Sequence, residues 1–162
     1  MNKILSWEML KEKLDGLHAE GKKIVLTNGC FDILHVGHAR YLNEAKKAGD
    51  VLVLALNSDS SVRALKGEQR PLNPEADRAY VVAALAAVDY VVVFSESTPF
   101  EVIEYLKPDI IVKGGDWEEE KVVGGESVKK WGGKVLIMPE TKGVSTTNII
   151  EKILKIYGDT GH

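Results

Sequence analysis

Cysteine is nearly absent from this chain of 162 residues. The single one, Cys30, has no second cysteine to pair with, which is typical of proteins in a reducing compartment. The longest apolar run, residues 79–88, is about half as long as a membrane-spanning helix. The first residues enter a charged amphipathic pattern and lack the apolar core of a signal peptide. We therefore expect a soluble protein of the cytoplasm that makes no membrane contact.

The chain also lacks an excess of positive charge, and its formal net charge is −3. Nucleic-acid binders need a basic face for their phosphate contacts, so the charge argues against nucleic acid as a partner. The length and the hydrophobic content of 44% suit one domain that buries about two thirds of its unfolded surface. We interpret residues 1–162 as a single domain, with an N-terminal helix within residues 1–22 and the core of the domain over residues 23–157.

Three familiar signatures do not occur. The sequence has neither the Gly-x-Gly-x-x-Gly pattern of dinucleotide-binding oxidoreductases nor the Gly-x-Ser-x-Gly elbow of hydrolases. Residues 16–23 look superficially like a phosphate-binding P-loop. They end in lysine where a P-loop has serine or threonine, and they precede a strand where a P-loop follows one. These three classes of site are therefore rejected.

Apolar segments of strand type alternate with segments of helical periodicity along the whole chain. Strands are predicted over residues 23–28, 51–56, 90–94, 110–112 and 134–138, and helices over about 7–20, 36–48, 75–87, 98–107, 120–131 and 145–157, with a short helix after 57–59. This alternation is typical of a parallel sheet with right-handed crossovers. The predicted fold is α/β, a Rossmann-like doubly wound sheet of five parallel strands with helices on both faces.

The segment His35-Val36-Gly37-His38 is the most informative motif. It follows the first predicted strand and the break at Gly29, and it opens a predicted helix, so two imidazoles stand one turn apart at a helix N-terminus. Free backbone N–H groups and the positive end of the helix dipole make such a turn a site for anions. The imidazoles can hydrogen-bond phosphate oxygens as negative charge develops. The motif therefore predicts a phosphate site.

Other polar clusters follow the predicted strands in the same way. In a doubly wound sheet, ligands bind beyond the carboxyl ends of the strands. The clusters are residues 27–38 after the first strand, 57–59 after the second, 113–117 after the fourth and 145–148 shortly after the fifth. We expect them to form one shared site.

The motif around the two histidines also has an alternative interpretation as a metal site. Cys30, Asp32, His35 and His38 could instead be four ligands of a metal ion, although this leaves the glycine turn and the other clusters unexplained. Cys30 by itself suits a small buried apolar residue.

The polar segments elsewhere in the chain also have structural interpretations besides ligand binding. The loop after the second strand could clamp a triphosphate or form a solvated surface, through its cations Arg63, Lys66 and Arg70. Residues 145–147 suit helix N-caps as well as phosphate ligands. Residues 113–117 suit a turn with a buried tryptophan, or a ribose site in which Asp116 accepts from hydroxyls.

Residues 27–38 resemble the first signature of the nucleotidyltransferase superfamily that carries His-x-Gly-His, and residues 145–147 resemble its second signature. The likeness extends through residues 57–59, 66–67, 70–73, 98–99, 113–117 and 145–150. Together these segments resemble the D-glycero-β-D-manno-heptose 1-phosphate adenylyltransferases over about residues 23–154.

The resemblance implies transfer of AMP from ATP to a sugar 1-phosphate, heptose 1-phosphate, with Mg²⁺ as cofactor. The products would be pyrophosphate and ADP-heptose, a precursor of lipopolysaccharide or other surface glycans. In many bacteria this domain is fused to a heptose kinase. We recognise no kinase domain in this sequence, so we expect a separate heptose kinase to supply the substrate. A homodimer is compatible with the sequence, which does not determine the oligomeric state.

The resemblance also implies roles for individual residues. The catalytic residues are expected to be His35, His38 and Lys66, with the imidazoles on the α- and β-phosphates. The nucleotide is expected to contact Thr27, Asn28, Gly29, Cys30, Phe31, Gly37, Lys113, Gly115, Asp116, Ser145, Thr146 and Thr147. The residues expected to bind the sugar phosphate or to orient the metal are Asp32, Asn57, Asp59, Arg63 and Arg70. No direct protein ligand of the metal is assigned.

One position departs from the superfamily pattern. Cytidylyltransferases of the superfamily have an arginine five residues before Ser-Thr-Thr, where this chain has Glu140. The difference argues against the alternative of a glycerol-3-phosphate cytidylyltransferase, and it leaves open which cation replaces the arginine; Lys142 is nearby. A non-catalytic nucleotide sensor on the same fold is the other alternative, and the intact His-x-Gly-His argues against it.

Overall fold

Five strands form one parallel sheet in the computed structural model, which describes residues 3–158. The strands are β1 (Ile24–Gly29), β2 (Val51–Asn57), β3 (Tyr90–Phe94), β4 (Ile110–Gly114) and β5 (Lys134–Met138). The helices are α1 (Trp7–Ala19), α2 (Val36–Lys46), α3 (Asp59–Lys66), α4 (Glu75–Ala83), α5 (Phe100–Leu106), α6 (Gly125–Lys130) and α7 (Thr146–Tyr157). None of these helices has the length and apolarity that a membrane crossing requires. The predicted fold class is confirmed.

The strand order β3-β2-β1-β4-β5 places β1 in the centre of the sheet. The chain runs from β1 outward to β2 and β3, then returns to the other side of β1 to add β4 and β5. The order therefore reverses between β1 and β4, and the crevice at their carboxyl ends is the point where doubly wound sheets bind ligands.

Alternating side chains of the strands supply two separate apolar layers. Val51, Val53 and Ala55 of β2 face the layer that contains α1, α5 and α6, whereas Leu52, Leu54 and Leu56 face the layer that contains α2 and α4. All seven residues of β2 are buried. Helices cover both faces of the sheet, so these strands appear in the sequence as continuous apolar runs.

The N-terminal helix α1 begins after Ser6, whose hydroxyl accepts a hydrogen bond from the backbone N–H of Met9. Leu10 and Leu14 are fully buried on one face of α1. Each buried leucine contributes about 2 kcal/mol to docking this helix on the sheet.

The predicted helix over residues 120–131 is wrong in detail. The segment divides into a 3₁₀ turn at Glu119–Lys121 and the short helix α6. Gly124 separates them with a φ of +79°, and a Cβ at this position would lie 2.9 Å from two side-chain carbons of Ile103. Close packing against α5 therefore interrupts the helical pattern.

Candidate active site

The loop between β1 and α2 brings an aromatic ring under the second histidine. Phe31 adopts a φ of +46°, which turns its side chain back towards Gly29. A Cβ on Gly29 would lie 2.8 Å from the Phe31 ring, so this turn needs glycine. The Phe31 ring packs on His38 at 4.9 Å between centroids. The break at Gly29 thus positions one of the two imidazoles.

His35 and His38 lie side by side at the start of α2. Their rings stack with centroids 3.8 Å apart and planes 20° from parallel. A Cβ on Gly37 would lie 2.9 Å from the His35 ring, so the glycine between the histidines leaves the space that this ring occupies. His35 is the N-cap residue of α2, and its side chain makes no capping hydrogen bond. The first-turn N–H groups of α2 therefore have no side-chain cap, as expected for an anion site.

Burial favours the neutral form of both imidazoles. Burial lowers the pKa of His35 below its ordinary value of 6.5. Burial, with a further effect from the charge of His35, lowers the pKa of His38 to about 4. Within residues 3–158, the buried Nδ1 atoms of His35 and His38 have no hydrogen-bond partner. Buried polar atoms of this kind are rare and concentrate where a ligand or water completes the site.

Asp32 holds the cationic loop against β1. Its carboxylate accepts hydrogen bonds from the backbone N–H groups of Leu72 and Asn73 at 2.9 Å, and from Nε of Arg70 at 2.6 Å. Burial opposes ionisation of Asp32, but these donors outweigh it and hold the pKa of the carboxyl below its usual range. Of the two roles expected for Asp32, the geometry therefore supports orienting the loop.

A buried arginine ties the same region together, and sequence reasoning missed it. Arg78 of α4 is only 2% exposed. Its guanidinium donates to the carbonyl oxygens of Cys30, Asn57 and Asn73 at 2.7, 2.8 and 2.9 Å. It also donates to the carboxylate of Asp59 at 2.8 Å. Arg78 thus joins the ends of β1 and β2 to the end of the cationic loop.

The carboxyl end of β4 contributes a half-buried cation. Nζ of Lys113 lies 3.4 Å from Oδ1 of Asn28 and 5.2 Å from the ring centroid of Trp117. Burial lowers the pKa of Lys113. Cys30 is partly buried on the neighbouring strand end, and burial raises the pKa of its thiol despite the nearby cations. Trp117 is 48% exposed, which rules out the alternative of a turn with a buried tryptophan.

The start of α7 closes the site from the other side. The hydroxyl of Ser145 accepts from the backbone N–H of Asn148 at 3.0 Å, so Ser145 serves as the N-cap. The Thr146 hydroxyl donates to the carbonyl of Ile33 at 3.3 Å, which connects α7 to the loop before His35. Thr147 is exposed beside them.

These elements enclose an open cavity of about 710 Å³, a size typical of small-molecule sites. The expected site residues that line it are Asn28, Gly29, Cys30, Phe31, Asp32, His35, Gly37, His38, Asn57, Lys66, Arg70, Lys113, Ser145, Thr146 and Thr147. The charged residues of the lining are three cations, Lys66, Arg70 and Lys113, and two carboxylates, Asp32 and Glu140. The lining is therefore suited to an anionic ligand.

Five expected residues do not line this cavity. Thr27 is buried beneath it, with its hydroxyl 2.6 Å from the Tyr41 hydroxyl. Asp59 pairs with Arg78. The side chain of Arg63 is exposed on α3, and Gly115 is buried with a φ of +104°. Asp116 lines a smaller adjoining cavity together with Lys142.

The remaining lining residues had no individual role assigned from the sequence. They are Tyr41, Leu65, Ser97, Thr98, Pro99, Gly114, Trp117, Val123, Pro139, Glu140, Thr141 and Val144. Gly114 and Trp117 belong to the cluster expected at the site, and residues 98–99 belong to a segment that carries the family resemblance. Ser97 follows β3, so the rule about strand carboxyl ends could have found it. Arg78 offers no such signal, because it stands inside a helix with no motif around it.

The geometry of the four candidate ligands argues against the alternative of a metal centre. Within the described part of the chain, no group of three or more His, Cys, Asp and Glu side chains could hold a metal ion. His35 and His38 stack face to face, and Asp32 is engaged by the cationic loop. The four proposed ligands do not converge.

Comparisons with known proteins agree with this geometry. Residues 26–152 match the model of the family described as Cytidylyltransferase-like. A protein of Geobacter metallireducens named "Bifunctional protein HldE" is 58% identical over 91% of this chain. The protein of the same name from Geobacter sulfurreducens is 53% identical over 97% of this chain. This chain spans 32% of the length of each of these relatives.

Solved structures show the same fold. A lipopolysaccharide core biosynthesis protein from Thermoplasma volcanium aligns with a TM-score of 0.63 and 32% identity, over 76% of this chain and 100% of its own. A pantoate-beta-alanine ligase from Francisella tularensis aligns with a TM-score of 0.64 and 17% identity, over 96% of this chain and 77% of its own, which shows the fold alone. The stacked histidines and the cavity at the β1–β4 switch point agree with the family match. This chain therefore belongs to the cytidylyltransferase-like family of nucleotidyltransferases.

Proposed function

We propose that this chain transfers AMP from ATP to D-glycero-β-D-manno-heptose 1-phosphate, giving ADP-heptose and pyrophosphate. The observation that carries the proposal is the stacked pair His35 and His38 at the start of α2, inside a cavity lined by three cations. The identity of 58% with a relative named as bifunctional supports the proposal. This chain matches about a third of that relative, and we propose that this third carries out the nucleotidyl transfer.

The chemistry needs positioning and charge stabilisation more than a base. An oxygen of the sugar phosphate attacks the α-phosphorus of ATP in line, a new P–O bond forms, and the bond to pyrophosphate breaks. Because the nucleophile is already an anion, no proton has to be removed. The neutral imidazoles donate hydrogen bonds to the phosphate oxygens, and Lys66 and Arg70 offset the charge that develops.

Magnesium is proposed to arrive with the triphosphate. Mg²⁺ sites of this class use one or two carboxylates together with substrate phosphates. Asp32 is occupied by Arg70 and by two backbone N–H groups, whereas Glu140 lines the cavity and makes no ion pair in the described part of the chain. These residues would suit a metal held mainly by the nucleotide, and Glu140 would be the cavity carboxylate available to it.

A kinase that phosphorylates heptose is proposed to supply the substrate, and the product would serve lipopolysaccharide or other surface-glycan synthesis. The proposal includes a cytoplasmic location, where ATP is abundant. Sedimentation of the purified protein tests whether it is a monomer or a homodimer.

The test is a matrix of nucleotides against phosphorylated acceptors, with pyrophosphate release as the measurement. With Mg²⁺ present, kcat/KM for ATP with heptose 1-phosphate should exceed that for CTP with glycerol 3-phosphate by at least about tenfold, or about 1.4 kcal/mol. The variant that carries both His35→Ala and His38→Ala gives the background rate. A preference for CTP and glycerol 3-phosphate would overturn the assigned substrates, and nucleotide binding without any turnover would favour the sensor.

A further inference from the structure

The three cations that line the cavity have different environments. Arg70 forms an ion pair with Asp32, and Lys66 is exposed at the end of α3. Lys113 is half-buried at the end of β4, beside the β1–β4 switch point. Within residues 3–158 it forms no ion pair.

The groups around the Lys113 ammonium are neutral. Oδ1 of Asn28 lies 3.4 Å away, longer than a good hydrogen bond, and the Trp117 ring lies on another side. Withdrawing an ammonium from water without a counter-ion is costly, and here burial lowers its pKa accordingly. A cation held this way in a cleft is typical of a site whose ligand supplies the missing negative charge.

Lys142 does not occupy an equivalent position. It is exposed and lines the smaller adjoining cavity, together with Asp116 and its own neighbours in the chain. It is close in sequence to Glu140, where the superfamily pattern leads one to expect arginine, but it does not line the cavity that contains the histidines.

We propose that the ammonium of Lys113 binds the polyphosphate of the nucleotide and supplies the charge that an arginine at position 140 would supply. This inference rests on the proposed function for the identity of the nucleotide. Lysine acts on phosphate as a point charge, so the position tolerates arginine only in part. Asn28 lies beside the ammonium on the β1 side, and the Trp117 ring lies beside it on the β4 side.

Binding of inorganic pyrophosphate and of ATP tests the inference without any turnover. Trp117 lines the cavity, whereas the indole N–H groups of Trp7 and Trp131 donate to the carbonyls of Val93 and Pro108 and their rings do not line it. Tryptophan fluorescence should therefore report occupancy, and titration calorimetry gives the same Kd independently of the indole.

Lys113→Met should weaken pyrophosphate binding by about tenfold or more, and Lys113→Arg should recover part of the loss. Lys142→Met is the matched control and should stay within about twofold of wild type. Lys113→Gln is a second variant that lacks the charge. Thermal unfolding of every variant shows whether a loss of binding comes from a loss of folding.

The inference would be overturned if Lys113→Met and Lys113→Gln bind pyrophosphate as wild type does, or if Lys142→Met loses more affinity for pyrophosphate than Lys113→Met. Absence of saturable pyrophosphate and ATP binding in the wild type would overturn it too. If Lys113 proves necessary for anion binding but ATP and heptose 1-phosphate give no ADP-heptose, only the proposed function fails.

Discussion

The imidazole rings of His35 and His38 stack at 3.8 Å between centroids, and both belong to one turn at the start of α2. Two charged rings at this separation would repel each other, so the arrangement favours the neutral forms. Neutral imidazoles donate hydrogen bonds to phosphate without adding fixed charge.

Removal of either imidazole should affect turnover much more than nucleotide binding. His35→Ala and His38→Ala should each lower kcat by about 10²–10³, the scale of losing one donor to a developing oxyanion. Steady-state pyrophosphate release and ATP titration measure the two effects. His18→Ala is the control, because His18 pairs with Asp109 and does not line the cavity. Unchanged kcat in both variants would contradict the proposed role.

Stability should depend on pH through His38. The pKa of His38 is about 4 in the folded protein against an ordinary value of 6.5. Between these values the unfolded chain binds a proton that the folded protein does not, so acid favours unfolding. This stabilising contribution is complete above about pH 6.5 and is lost as the pH falls towards about 4.

The measurement is the urea unfolding free energy of wild type and His38→Gln across that pH range. The free energy should fall less steeply with acidification in the variant. Burial also lowers the pKa of His35, which therefore contributes to acid sensitivity in the same range, but His35 is present in both proteins. The carboxyls of Asp32 and Asp109, whose pKa values are lowered from 3.8, contribute only at more acidic pH. Parallel curves would show that His38 titrates normally.

The glycine between the histidines should matter for activity more than for folding. A Cβ at Gly37 would lie 2.9 Å from the His35 ring, so Gly37→Ala should displace the ring and lower kcat by about tenfold or more. Gly16→Ala in α1 is the matched control, because a Cβ there meets nothing within 4 Å. The control should stabilise the protein by about 0.5–1 kcal/mol without changing kcat. Equal kcat in the two variants would be inconsistent with the packing.

Arg78 should be one of the most sensitive positions for stability. Arg78→Met removes four hydrogen bonds and leaves three carbonyl oxygens without this donor, so the unfolding free energy should fall by about 3 kcal/mol or more. Asp59→Asn removes only the charge of a partly exposed partner and should cost about 1 kcal/mol or less. Guanidinium denaturation measures both. A loss of under 1 kcal/mol in Arg78→Met would show that the loops are held by other contacts.

Much of this architecture is readable from local sequence. The alternation of strand-type and helix-type apolar patterns predicts an α/β sheet. The continuous apolar run of β2 predicts helices on both faces, because burial on two sides requires apolar residues at every position. The placement of His35, Gly37 and His38 after β1 also follows from sequence alone. Backbone turns and helix starts depend on neighbouring residues, so local patterns are sufficient for these features.

Other features were decided only by tertiary structure. Asp32 accepts from a loop about 40 positions away, and Arg78 joins strand ends that its own helix does not adjoin in sequence. The sequence already predicts Lys113 at the site, but only the tertiary structure shows that Lys142 lines the adjoining cavity instead. Such contacts depend on which strands pair and how helices pack across them, and neither period nor spacing along the chain encodes that choice.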